Sequence, residues 1–249
     1  MTKGYTTKEI NMANPHFQNM ILWAGNTDAT EYKKDQPMFQ PYPSDQTFYG
    51  YFNDFMTYSA DDWTITTTES GSGNASEALT SSAGGALLIT NDDADDDLDF
   101  LQLKGESFKL ASNKAAYFSA RFKVNDVDQS DFVMGLHITD TSPLDVTDGI
   151  YFISADGDAG LDFGVEKNNT ATTTEDVATM ADDTFITVSW FIDANRDAVY
   201  YSINNAAPLK SAATNLPDDE ELTISFGIQN GEASAQTMTI DYITCMIER

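Results

Sequence analysis

The feature that most constrains this chain is an alternation of apolar and polar side chains with a period of two, recurring from residue 63 onward. Leu222, Ile224, Phe226 and Ile228 alternate with Thr223, Ser225, Gly227 and Gln229. Successive side chains of a strand point to opposite faces of its sheet, so such a run buries one face and wets the other. Phe118, Ala120, Phe122 and Val124 repeat the pattern, as do Phe132, Met134, Leu136 and Ile138, and then Val199, Tyr201 and Ile203. The stretch 184–193 is apolar on both faces, as a central strand requires. Further strands are predicted at 63–68, 86–90, 98–103, 107–110, 149–154, 161–166 and 238–247. Turn chemistry separates several of them, as in Asp156-Gly157-Asp158, Asn168-Asn169 and Asn204-Asn205. The Ser/Gly-rich stretch 69–85 reads as a loop or hairpin near the start of this array. About a dozen short strands without helical periodicity predict an all-β domain. Their number exceeds that of an immunoglobulin-like domain and favours a two-sheet antiparallel jelly-roll sandwich.

The first fifty residues follow a different rule. Phe17, Trp23, Tyr32, Phe39, Tyr42 and Phe48 are interspersed with Pro15, Pro37, Pro41 and Pro43, and neither strand nor helix period persists. A segment of this kind makes no core of its own. Left bare, its aromatics are a solubility liability, so the expectation is a docking arm over residues 1–52, with those six aromatics as partner-binding residues and a sandwich domain over 53–249. A short helix is expected near residues 7–13.

Charge divides the chain at the same place. The whole carries 13 basic and 40 acidic side chains, a net charge of −27. Residues 1–50 hold four lysines and five acids, leaving nine basic and thirty-five acidic residues in the body. A surface this negative repels phosphate backbones and anionic lipid, which excludes nucleic-acid and membrane binding by the body. Salt relieves its self-repulsion, since the Debye length is about 8 Å at physiological ionic strength. The single cysteine, Cys245, allows no intrachain disulfide and lies in a predicted strand as a small apolar residue. Met1-Thr2-Lys3-Gly4-Tyr5 leads into polar sequence rather than the apolar stretch of a secretory leader, so the expectation is a protein made in the cytoplasm.

The run Asp92, Asp93, Asp95, Asp96 and Asp97 lies between two predicted strands and offers oxygen ligands to a hard cation. It lacks the spacing and the distal Glu of an EF-hand loop, so the run reads first as a solvated acidic loop, with Asp92, Asp93 and Asp95 as weak candidate calcium ligands. Carboxylate pairs spaced for glycoside hydrolysis arise by chance among forty acids. No Gly-x-Ser-x-Gly elbow occurs, and His16 and His137 are the only histidines, so no catalytic residue is assigned and no enzyme is expected. His137 falls on the outward register of its strand and is expected at the surface or half-buried. Trp63, Trp190, Tyr200 and Tyr201 could stack on sugar rings, although aromatics on strands commonly pair across strands or fill cores.

Several runs carry a family resemblance. Phe52-Asn53-Asp54-Phe55 followed by Trp63-Thr64-Ile65-Thr66-Thr67 resembles the start of jelly-roll domains in structural proteins of tailed phages of marine bacteria, cyanophages especially. Gly135-Leu136-His137-Ile138-Thr139-Asp140-Thr141, Thr147-Asp148-Gly149-Ile150-Tyr151-Phe152 and Val165-Glu166-Lys167-Asn168-Asn169 are similar too, as are Leu216 to Thr223 and Ile240-Asp241-Tyr242-Ile243. The resemblance implies the topology of concanavalin A-like lectins and laminin G-like domains. It also implies a virion component decorating the capsid, with the major capsid protein or neighbouring subunits as partners. A homo-oligomer, such as a trimer, would suit a shell. The alternative it leaves open is a glycan-binding module on a tail or fibre.

Overall fold

The computed structural model describes residues 48–249, and these form sixteen strands in two antiparallel sheets of eight. The first sheet runs β14 (Leu209–Ser211), β13 (Val199–Ile203), β12 (Ile186–Ile192), β7 (Ala116–Val124), β16 (Thr237–Glu248), β4 (Leu87–Thr90) and β3 (Ser76–Leu79), with β1 (Phe48–Asn53) also on β16. The second runs β11 (Thr170–Thr179), β10 (Gly160–Lys167), β9 (Gly149–Ser154), β8 (Ser130–His137), β15 (Glu221–Asn230), β5 (Leu98–Leu103) and β2 (Trp63–Thr68), with β6 (Phe108–Lys109) also on β15. The expected two-sheet jelly roll is the observed fold, with short connections carrying the chain from one sheet to the other.

Alternation places one main core between the sheets. Phe118, Phe122, Val188 and Trp190 of the first sheet face Phe132, Met134, Phe152, Phe163 and Phe226 of the second, all fully buried. Phe118 stacks on Trp190 at 5.8 Å, and Phe122 meets Phe132 edge-on at 5.4 Å across the gap. Cys245 is buried in this core, where desolvation raises its thiol pKa and leaves it inert. The Asn168-Asn169 and Asn204-Asn205 pairs have positive φ at both residues, the backbone of tight hairpin turns.

The end of the stretch assigned to the arm contains a strand. β1 begins at Phe48 and pairs residue by residue with the far half of β16, from Phe48 opposite Glu248 to Asn53 opposite Ile243. The reason lies in β16: β4 covers only Thr237–Ile240 on that edge, and the rest would present unpaired backbone groups. Phe48, expected to bind a partner, is therefore a half-buried strand residue of the sandwich. Phe17, Trp23, Tyr32, Phe39, Tyr42 and the helix expected near residues 7–13 lie outside the described residues.

Glycine lets the second sheet take aromatics on its outer face. A Cβ at Gly135 would fall 2.4 Å from the Ile150 carbonyl oxygen and 2.7 Å from Tyr151 Cβ. Gly135→Ala is accordingly expected to cost about 1–3 kcal/mol through overpacking against backbone, read as a lower urea midpoint with an unchanged m-value.

Candidate functional site

The outer face of the second sheet carries a group of buried polar side chains: Gln102, His137, Glu166, Thr223 and Ser225. Cross-strand register sets Glu166 against Gly149, Gly149 against His137, and His137 against Thr223. The next row runs Gly164, Tyr151, Gly135, Ser225, Gln102 and Thr64. Residues 138–148 fold over these rows. Val146 and Leu144 pack with Leu98, Phe100, Val133 and Tyr151 in a second apolar cluster, and Ile138 N–H is tied to the Asp148 carbonyl at 2.9 Å.

Beneath this cover Gln102, Thr223 and Ser225 find partners among themselves and the neighbouring backbone. Gln102 Nε2 donates to Ser225 Oγ and to the Ile138 carbonyl, both at 3.1 Å, while its Oε1 accepts the Asp140 N–H at 3.0 Å. Thr223 Oγ1 donates to the Leu103 carbonyl at 2.6 Å. His137 is not a surface histidine but wholly buried. The reason is the cover, which turns an outward register into an interior one. Its Nδ1 lies 2.9 Å from the Ile138 carbonyl, so Nδ1 carries the proton and the buried Nε2 is left without a partner. Burial pushes its pKa down to about 4, against smaller opposing effects of that carbonyl and Asp140. Tyr151 donates its hydroxyl to Glu166 Oε2 at 2.5 Å. Burial raises both groups above their usual values, and the Tyr151 bond partly offsets this for Glu166.

Glu166 is already engaged by Tyr151, and the carboxylates that press on it are Asp145 and Asp148 of the covering residues. Three of the aromatics named for sugar stacking face inward. Trp63, Trp190 and Tyr201 are core residues, and only Tyr200 is half-buried. On each strand the inward register simply took them.

The acidic run divides as well. Asp92 is half-buried, whereas Asp93 and Asp95 are exposed on the solvent side of the turn. Asp97 is wholly buried because its carboxylate accepts the Ser70 N–H at 2.6 Å and the Ala94 N–H at 3.1 Å. The turn itself is fixed from below: Asn91 Nδ2 donates to the Asp97 and Ile228 carbonyls, and Asn230 Nδ2 to those of Asp92 and Ala94, at 2.7–3.0 Å. The carboxylates that come together are Glu69, Asp92 and Asp97, with ligand atoms within 4.8 Å of one another. Glu69 lies 23 positions from Asp92 in sequence, in the stretch that read only as a loop, and no spacing rule could have joined them.

No protein-family model matches the chain, and no curated protein matches it by sequence. Solved structures do. A protein of unknown function from Shewanella oneidensis MR-1 is similar at TM-score 0.57 and 18% identity, over 82% of this chain and 87% of that one. An endo-1,3-β-glucanase from Streptomyces sioyaensis aligns at TM-score 0.57 and 11% identity, over 80% and 96%. Peanut lectin aligns at TM-score 0.53 and 11% identity, over 80% and 97%. The fold is thus the concanavalin A-like jelly roll. Lectins and glycan-cleaving enzymes both use it, so the likeness defines the architecture and leaves function to the residues.

Proposed function

We propose that this chain is a structural component of a phage virion, a capsid decoration protein that displays an acidic sandwich and attaches through residues 1–47. The observation that carries this reading is the covered outer face of the second sheet, where Gln102 is bonded to Ser225 and Tyr151 to Glu166 beside residues 138–148. Charge supports it: residues 48–249 hold thirty-five acids against nine basic residues, a surface that stays hydrated and repels its copies except where specific contacts form. The resemblance to jelly-roll domains of marine phage structural proteins supplies the virion setting. The major capsid protein or a neighbouring subunit is then the partner, and repeated copies, in trimers or otherwise, add avidity without chemistry. The protein is made in the host cytoplasm and ends in the virion.

Truncation tests this. Removing residues 1–47 is expected to leave a cooperatively folded sandwich that no longer co-purifies with particles. Removing residues 1–53 also strips β1 from β16 and is expected to lower the melting temperature and promote association through the bared edge. Undiminished particle binding by the 48–249 fragment contradicts the proposal.

The second reading, a carbohydrate-binding module of a tail or fibre, is favoured by the likeness to peanut lectin and to the Emp47p carbohydrate recognition domain, the latter at TM-score 0.53. It predicts saturable glycan binding on an array that survives removal of residues 1–47.

A further inference from the structure

Cross-strand register also orders the outer face of the first sheet. Tyr200, Phe191, Tyr117 and Met246 stand in one row across β13, β12, β7 and β16, half-buried, with Lys210 of β14 at one end and Gly50 of β1 at the other. The neighbouring row is small: Ser202, Ser189, Ser119 and Thr244 lead to Phe52, which is 45% exposed. Thr187, Arg121 and Tyr242 make the row beyond. The face is therefore a groove. Its two walls lie four residues apart along each strand, about 13 Å, and serines line its floor. Ser119 and Ser202 donate their hydroxyls to the Val188 and Ala206 carbonyls, at 3.1 and 2.7 Å, so covering the floor leaves neither donor without a partner.

Charge and chain direction define what fits the groove. Residues 48–249 hold thirty-five acids and nine basic residues, yet the strands of this face set Arg121, Lys123 and Lys210 against only Asp241 and Glu248. A near-neutral chain meets this side of the sandwich without the repulsion it would meet elsewhere, whereas a second copy would bring two acidic bodies together. Residues 1–47, with four lysines and five acids, are such a chain. They also arrive in the right place. Phe48, Gly50 and Phe52 share the outward register of β1, so the chain departs at the edge where the groove opens. From β1 to β14 the face spans five strand spacings, about 24 Å, a distance that seven or eight extended residues cover at about 3.3 Å each. Tyr5, Phe17, Trp23, Tyr32, Phe39 and Tyr42 precede β1 and need shelter from water.

We propose that in the unassembled chain residues 1–47 fold back over the outer face of the first sheet and lay aromatic side chains into this groove. The contact joins apolar arm to apolar wall and keeps the arm soluble until a partner takes it. It concerns the chain before assembly and holds whether or not the sandwich is later displayed on a shell.

The test is limited trypsin digestion of the full chain, following cleavage after Lys33 and Lys34. Slow cleavage is expected, at a rate that stays constant over about a hundredfold dilution, as an intramolecular contact requires. Phe191→Asp in the wall and Phe52→Asp at the mouth are each expected to speed this cleavage about tenfold, because proteolysis follows the population of the open form. Ala171→Asp adds the same charge to the exposed strand β11 of the other sheet and is expected to change nothing. A variant that lost its fold would be cut within residues 48–249 as well, and Phe52, at an exposed position, keeps the test decisive if Phe191→Asp does so. Rapid cleavage of the native chain, or equal rates in the native chain and Phe52→Asp, overturns the proposal. Protection that disappears on dilution also overturns it, and makes a second copy the occupant.

Discussion

Trp63→Ala is expected to destabilise the sandwich by about 3–5 kcal/mol, the usual cost of truncating a buried large aromatic. For a chain of this size that lowers the melting temperature by about 10 °C. Trp63 opens β2 at the edge of the second sheet, 3% exposed. Its ring meets Phe226 edge-on at 5.1 Å and Tyr51 edge-on at 6.3 Å. It therefore joins three strands that have no shared turn: β2, the central β15, and β1. Thermal unfolding monitored by tryptophan fluorescence and circular dichroism reads the loss. A sugar platform would behave oppositely, leaving stability intact and abolishing glycan binding.

Acid should weaken the fold through His137. The folded chain holds this imidazole neutral, with its pKa pushed down to about 4, while the unfolded chain protonates it near 6.5. The contribution is complete above pH 6.5 and is lost progressively as the pH falls toward 4, about 3 kcal/mol over that window. Glu166 and Asp131, raised by burial, act in the other direction: the folded state holds their protons more tightly than the unfolded state does, so they stabilise as the pH falls. Comparing the native chain with His137→Gln cancels those common terms. Urea unfolding at pH 7 and pH 4.5 is expected to show a loss in the native chain exceeding that in the variant by about 2–3 kcal/mol. Equal losses would mean that the cover over residues 102, 137 and 225 opens before the histidine is charged.

What the sequence made legible follows from how local each signal is. Alternation in 118–124, 132–138 and 222–228 depends only on neighbouring residues, and it fixed both the strands and their inward faces; the Asn-Asn and Asp-Gly-Asp turns are equally local. His137 was misplaced because alternation distinguishes the core face from the other face but cannot show that a distant loop, 138–148, covers the second. The strand at Phe48 is hidden from local patterning for a related reason. Tyr49 and Tyr51 alternate with Gly50 and Phe52 in a stretch preceded by Pro41 and Pro43, and only the open edge of β16, two hundred residues away, turns it into a strand. The carboxylate cluster was half legible: the aspartate run was visible, but its partner Glu69 arrives by the crossing of two loops. Which aspartates turn inward depends on Ser70 and Asn230, which hold the loop from outside its own sequence.

The central claim is that the acidic sandwich is displayed on an assembly and held there by the residues before β1. Cryo-electron microscopy of particles purified from the source, with this chain located in the map, tests it most directly. The account predicts many symmetry-related copies of the sandwich on an icosahedral shell, with the chain ahead of Phe48 running into the shell surface. Density confined to tail fibres, or a shell contact made by the sandwich faces with residues 1–47 directed away, would contradict it.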